Sequence, residues 1–290
     1  MYSNNTPHPE LYEPSKKSIQ KLQSTIEELK SANAQLKAHN IMHKEFINIA
    51  AHELRTPIQP ILGLTKVLQS RIKDSEQSDL LNAVIKNAKR LQRLTEDILD
   101  VTKIENSSLK LNKERFNLYN LLSSNVEDYK SQLEKDNVSI ELLFEPNNEE
   151  LLIEADRNRL TQVISNLLSN AIKFTNKGTV SVAVQIKDSS HVIISVKDTG
   201  TGINPEILPR LFSKFATLSK TGTGLGLFIS KNIIEAHGGN ICAENNEGAE
   251  GATFYVILPV HAEGDFGTAA DLHKIGTDPS FEYEQSKLNF

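Results

Sequence analysis

The chain has 290 residues, 38% hydrophobic and 24% charged, with a net charge of −5. That length suits about two domains, and the acidic balance leaves no basic footprint for nucleic acid. No apolar run approaches the roughly 20 residues that span a bilayer. The opening MYSNNTPHPE has neither the basic start nor the apolar core of a secretion signal. A cytoplasmic chain with no transmembrane segment is therefore expected. The single cysteine, Cys242, stands between Ile241 and Ala243 and reads as a small buried strand residue rather than a reactive thiol.

Residues 1–17 are polar and proline-bearing, and are expected to be disordered. Over 18–44, Ile19, Leu22, Ile26, Leu29, Asn33, Leu36, Asn40 and His43 step alternately by three and four, the seam of a coiled coil. A single amphipathic helix on a globular body gives the same spacing. Residues 45–106 carry two further helical patterns. One runs from Glu45 to about Lys73 with the stripe Ile47, Ala51, Leu54, Ile58, Ile61 and Leu68. The other runs from about Ser78 to Glu105 with Leu81, Val84, Ala88, Leu91, Leu94, Ile98 and Val101. The polar link at Asp74–Gln77 makes them an antiparallel hairpin. Two helices cannot bury stripes this long alone, so a homodimeric four-helix bundle is expected.

Residues 107–260 change character. Ser107–Phe116 is expected to be a linker with a short strand, and further strands are expected over Val138–Phe144, Leu151–Ala155, Thr179–Ile186, His191–Val196, Asn240–Glu244 and Thr253–Leu258. Helices are expected over Asn117–Glu134, Arg157–Phe174 and Leu225–His237. The fold class is thus α+β: a helical hairpin followed by an α/β sandwich with one sheet and helices on one face. Residues 261–290 are polar and aperiodic, and are expected to be a disordered tail.

The string HELRTP begins at His52. At 100° per residue the stripe Ile47, Ala51, Leu54 and Ile58 lies within about 40° of one direction, with His52 about 140° and Thr56 about 180° away. The imidazole is then on the solvent face, largely neutral at pH 7 and able to attack phosphorus. Glu53 is placed to take a proton or fix the tautomer, and Thr56 to orient a water. An exposed helix histidine followed by glutamate is commonplace, so His52 alone decides little.

Three further strings follow in order. NLLSNAIKF puts Asn166 and Asn170 four apart on one helix face, where an amide oxygen suits Mg²⁺, with Lys173 as a phosphate-side charge. The pair also suits plain capping or packing. DTGTGI, Asp198 to Ile203, offers a carboxylate for the amino group of adenine, and Gly200 and Gly202 for close approach, or simply a turn. GTGLGL, with Gly222, Gly224 and Gly226, runs into a helix whose N-terminus favours phosphate, but no GK[ST] follows to make a Walker loop.

Taken with Phe212, Phe215 and the HGG at His237–Gly239, this ordered set resembles the sensor histidine kinases, within the ATPase group that includes gyrase, Hsp90 and MutL. The resemblance covers about residues 40–260 and HELRTP matches its phosphoacceptor box. It implies His52 as phosphoacceptor, ATP and Mg²⁺ as donor and cofactor, Asn170 as metal ligand with Asn166 close by, and Asp198 as the adenine reader. It also implies a response-regulator receiver domain as partner and a reverse phosphatase activity using Thr56. The lid would run from Asp198 to Gly222, anchored by Phe212 and Phe215. From Leu211 to Gly222 it holds Lys214 and Lys220 but no arginine, which leaves Lys220, Arg210 or an arginine elsewhere as the phosphate-steadying cation. An ATP-driven clamp of the gyrase or Hsp90 kind would need a glutamate where Asn166 stands. A non-enzymatic adaptor would be expected to carry a broken box.

Overall fold

The computed structural model describes residues 16–72, 74–135, 138–146, 150–188, 190–217 and 222–260. Expectations for the two chain ends and for Lys220 fall outside them. The chain divides into two compact units, Met1–Thr102 and Lys103–Phe290.

The first unit is helical. The coil and the pattern after Glu45 are one continuous helix, α1 (Lys16–Gln69). No glycine or proline interrupts the chain between Lys16 and Arg55, so nothing stops propagation. Pro57 and Pro60 lie inside the helix. The second helix, α2 (Ser75–Glu105), starts three residues earlier than the pattern suggests. Asp74 ends the link by capping it, its carboxylate accepting from the Gln77 amide at 2.9 Å. Gln69 donates to Asn82 across the turn.

Each helix buries a file recurring every seven residues: Ala51, Ile58 and Thr65 on α1, and Leu81, Ala88, Thr95 and Thr102 on α2. The buried threonine hydroxyls donate to their own helix, to Leu62, Gln92 and Ile98 carbonyls, which makes a polar residue tolerable in an apolar file. Three positions further on, Leu54, Ile61 and Leu68, with Val84 and Leu91, are exposed in the single chain. Ile19, Leu22, Ile26 and Leu29 of the coil seam are exposed as well.

The second unit is mixed, and the class is α+β. Its elements are β1 (Glu114–Asn117), α3 (Leu118–Lys135), β2 (Ile140–Phe144), β3 (Leu152–Ala155), α4 (Arg157–Phe174), β4 (Gly178–Asp188), β5 (His191–Asp198), α5 (Gly226–Ala236), β6 (Asn240–Asn245) and β7 (Ala252–Pro259). There are two sheets where one was expected. The main sheet has the order β2-β4-β5-β7-β6, and β1 pairs antiparallel with β3 apart from it. The sequence suggests a short strand in the linker and another at Leu151–Ala155, but not that they pair.

Strand period places Val192, Ile194 and Val196 of β5 opposite Leu258, Val256 and Phe254 of β7. All six are buried. On the other side of β5 the same file faces Ile186, Val184 and Val182 of β4. Helices α4 and α5 meet this sheet and each other, burying Leu160, Ile164, Leu167, Ile229 and Ile233. Cys242 lies on β6, on the alternate face, and is half-buried rather than fully so.

One long-range clasp ties the ends of this unit together. The Asp156 carboxylate caps α4 through the Arg159 amide at 3.0 Å and accepts from the Asn112 amide at 2.8 Å. The Asp156 amide donates to His237 Nε2 at 2.9 Å, and His237 Nδ1 faces the Ile233 carbonyl at 2.8 Å. The ring must therefore be neutral, with its proton on Nδ1, to accept at Nε2. Burial pushes its pKa below the ordinary 6.5, as does Lys113 nearby, against the pull of the Ile233 carbonyl and Asp156. A histidine with a lowered folded pKa stabilises fully above its unfolded value and loses that stabilisation as pH falls below it. The stabilisation that His237 contributes is expected to fall from pH 7 to pH 5, so wild type should lose more melting temperature over that range than His237→Gln. Calorimetry over that range checks it, and parallel slopes would contradict it.

Candidate functional site

Asp198 is the last residue of β5 and continues the core-facing file of Val192, Ile194 and Val196. Its carboxylate is consequently buried, at 4% exposure. Burial raises its pKa, partly offset by two main-chain amides, Gly200 at 2.9 Å and Ala252 at 3.3 Å, both donating to Oδ1. The second oxygen takes no part in those two bonds.

The glycines here are set by contact. A Cβ on Gly200 would lie 2.3 Å from the Phe174 carbonyl oxygen, and one on Gly251 would lie 2.0 Å from that of Asp198. Both neighbours are main chain and cannot swing aside. Gly202 adopts φ +70, a conformation that side chains resist. The loop after Asp198 thus packs against the C-terminal end of α4, and Thr201 donates to the Phe174 carbonyl at 3.2 Å.

Asn166 is buried on α4 and donates to Ser230 Oγ of α5 at 3.1 Å. A Cβ on Gly226 would meet its Oδ1 at 2.3 Å. This amide joins the two helices and holds the first turn of α5 against α4. One turn on, Asn170 is half-buried. Lys173 is exposed, with its ammonium 5.2 Å from the Phe174 ring. No cluster of three or more His, Cys, Asp or Glu that could cage a metal occurs among the described residues.

The segment from Ile203 to Thr217 is fastened at Ile207 and Leu211, which are buried and four apart across a short 3-10 turn at Leu208–Arg210. Phe212 is half-buried. Phe215 does not anchor the segment as expected. It is 69% exposed with a left-handed backbone at φ +61, which turns the ring outward. Its main chain instead meets Gly224, where a Cβ would lie 2.5 Å from the Phe215 carbonyl carbon. Lys214 pairs with Glu105 and lies 5.2 Å over the Phe228 ring on the first turn of α5. Arg210 is exposed. Gly222 is described, whereas Lys220 is not.

In the first unit, His52 lies on α1, with its side chain outside the described set. Glu53 and Thr56 are exposed, while Ala51 and Ile58 are buried. The residues that the sequence did not single out are Ser230, Gly251 and the Ala252 amide. Nothing local marks them, because each matters only through a partner more than fifty residues away.

Residues 42–107 match the His Kinase A (phospho-acceptor) domain family, and residues 155–262 match the family of histidine kinase-, DNA gyrase B- and HSP90-like ATPases. The chain is 36% identical to the sensor protein SrrB of Staphylococcus aureus over 231 residues, which is 76% of this chain and 39% of that protein. It is 33% identical to hybrid signal transduction histidine kinase B of Dictyostelium discoideum, over 74% of this chain and 11% of that protein. The chain thus spans well under half the length of these relatives. Among solved structures, full-length ShkA in complex with AMPPNP superposes with a TM-score of 0.58 at 28% identity, covering 74% of this chain and 46% of that one. The Acinetobacter baumannii histidine kinase AdeS gives 0.52 at 27% identity, covering 72% and 98%. With both domain families present in order, and with these relatives and structures alike, the chain belongs to the sensor histidine kinases of two-component systems.

Proposed function

We propose that this chain uses ATP to phosphorylate its own His52 and hands the phosphoryl group to an aspartate on a response-regulator receiver domain. The observation that carries this reading is the amide at position 166. A water-activating glutamate would serve a hydrolysing clamp, but Asn166 is neutral and buried, and its nitrogen is committed to Ser230. This amide cannot act as base toward water, which favours an acceptor that brings its own nucleophile.

Asp198 receives the exocyclic amino group of adenine. Gly200 and Gly202 let the loop pack closely on Phe174 and Asn245, which holds that carboxylate in place. Gly222, Gly224 and Gly226 present main-chain amides to the phosphates at the start of α5, whose first turn contains no acidic residue. Lys173 adds positive charge, with Lys220 as a lid contributor. Magnesium, when bound, neutralises phosphate charge, and Asn170 is the residue that would hold it. A ring nitrogen of His52 attacks the γ-phosphorus. The N–P bond forms as the bond from that phosphorus to the β–γ bridging oxygen breaks, and ADP leaves with the electron pair. Glu53 accepts the ring proton. Positioning and charge neutralisation carry most of such a transfer. Attack by a receiver aspartate regenerates the imidazole, and Thr56 orients the water when phosphoryl groups are hydrolysed instead.

The acceptor unit works as a homodimer, since Leu54, Ile61, Leu68, Val84 and Leu91 remain exposed in one chain. Covering such a file gains roughly 25 cal/mol per Å². The need for ATP favours a cytoplasmic setting.

Incubation with γ-labelled ATP and magnesium tests the reading. Label on the protein should be acid-labile and alkali-stable, and should be absent from His52→Gln and from Asn170→Ala. Free phosphate without labelled protein, from a well-folded sample, would point to a clamp, and failure to bind nucleotide would point to an adaptor.

A further inference from the structure

Two adjacent asparagines, Asn245 at the end of β6 and Asn246 at the start of the turn to β7, reach back with their side chains to the loop after Asp198. Asn245 Oδ1 accepts from the Ile203 amide at 2.6 Å, and its Nδ2 donates to the Ile203 carbonyl at 2.9 Å. One side-chain amide thereby satisfies both main-chain groups of a single residue. Asn246 Nδ2 donates to the main-chain carbonyl of Asp198 at 2.8 Å and to that of Glu250 at 2.9 Å. Its Oδ1 accepts from Thr253 Oγ1 at 2.7 Å, which decides which way the amide faces. Its main-chain amide closes the turn onto the Gly251 carbonyl at 3.0 Å.

The loop Asp198–Ile203 is therefore hung from this turn at both ends. At one end Asn246 holds the carbonyl of Asp198 while the Ala252 amide holds its carboxylate. At the other, Asn245 holds Ile203, and its Oδ1 lies so near Gly202 that a Cβ there would come within 2.9 Å. We infer that Asn245 and Asn246, with Thr253 orienting the latter, are positioning residues that aim the Asp198 carboxylate and so set the selectivity for the nucleotide base. None of the three has to touch the nucleotide. The inference rests on the proposed reading of Asp198 as the adenine partner.

Loss of one such bond would weaken aiming by about tenfold in affinity. The full chain is titrated calorimetrically, with magnesium, against ATP and against purine riboside triphosphate, which lacks only the exocyclic amino group. Wild type should prefer ATP, and Asp198→Asn should erase the preference. Asn246→Ala, Asn245→Ala and Thr253→Val should each weaken ATP binding about tenfold while leaving purine riboside triphosphate nearly unchanged. Thr253→Ser, which keeps the hydroxyl, should restore the wild-type preference. A purely structural role would lower the folded fraction or weaken both nucleotides alike, and either result overturns the inference. So would wild-type preference in all three variants beside a loss in Asp198→Asn, which spares the adenine assignment. Should wild type, or Asp198→Asn against it, show no change in preference, the adenine assignment falls and the inference with it.

Discussion

A carboxylate stands at the end of a file of valine and isoleucine, and the rest of the second unit is arranged to keep it there. Asp198 shares the face of Val192, Ile194 and Val196 because strand residues alternate, so sheet geometry rather than chance buries it. Its pKa is raised by burial. A carboxyl with a raised folded pKa favours the fold below the unfolded value and costs stability as pH rises through the folded one. At neutral pH Asp198 is therefore a burden on the fold. The amides of Gly200 and Ala252 offset part of it, and the remainder is the kind of strain that functional sites carry.

The same contacts bind the loop after Asp198 more closely than the segment that follows it. Gly200 is pressed on Phe174 and Gly251 on Asp198, so the loop after Asp198 is continuous with α4 and the β6–β7 turn. The stretch beyond it is held chiefly at Ile207 and Leu211. The helical unit is unfinished in another sense. Its inner files use threonines that satisfy themselves, while a second apolar file waits for cover.

Much of this was legible from residues. Helix α4 begins and ends where NLLSNAIKF and its surroundings suggest, because Asp156 is a strong N-cap and the apolar period is clean. The file ending in Asp198 can be read by counting in twos. Other features were hidden by distance. His237 and Asp156 are 81 positions apart, and Asn246 and Asp198 are 48 apart, and no local pattern joins them. The split into two sheets was hidden for the same reason, since β1 and β3 are separated by a helix and a strand. Phe215 was read as an anchor from the family resemblance alone, whereas it is exposed on a left-handed backbone. The unbroken α1 was readable, since no helix breaker separates the coil seam from HELRTP, although the pattern from Glu45 was taken as a separate helix.

Equilibrium binding of ATP and of GTP to the wild-type chain tests most directly whether the Asp198 carboxylate reads the base. GTP sets a carbonyl oxygen where ATP has an amino group, so an acceptor would face a buried acceptor. Such unpaired polar contacts are rejected strongly, and at least about a hundredfold preference for ATP is expected. Equal affinity for the two nucleotides would contradict the account at its centre.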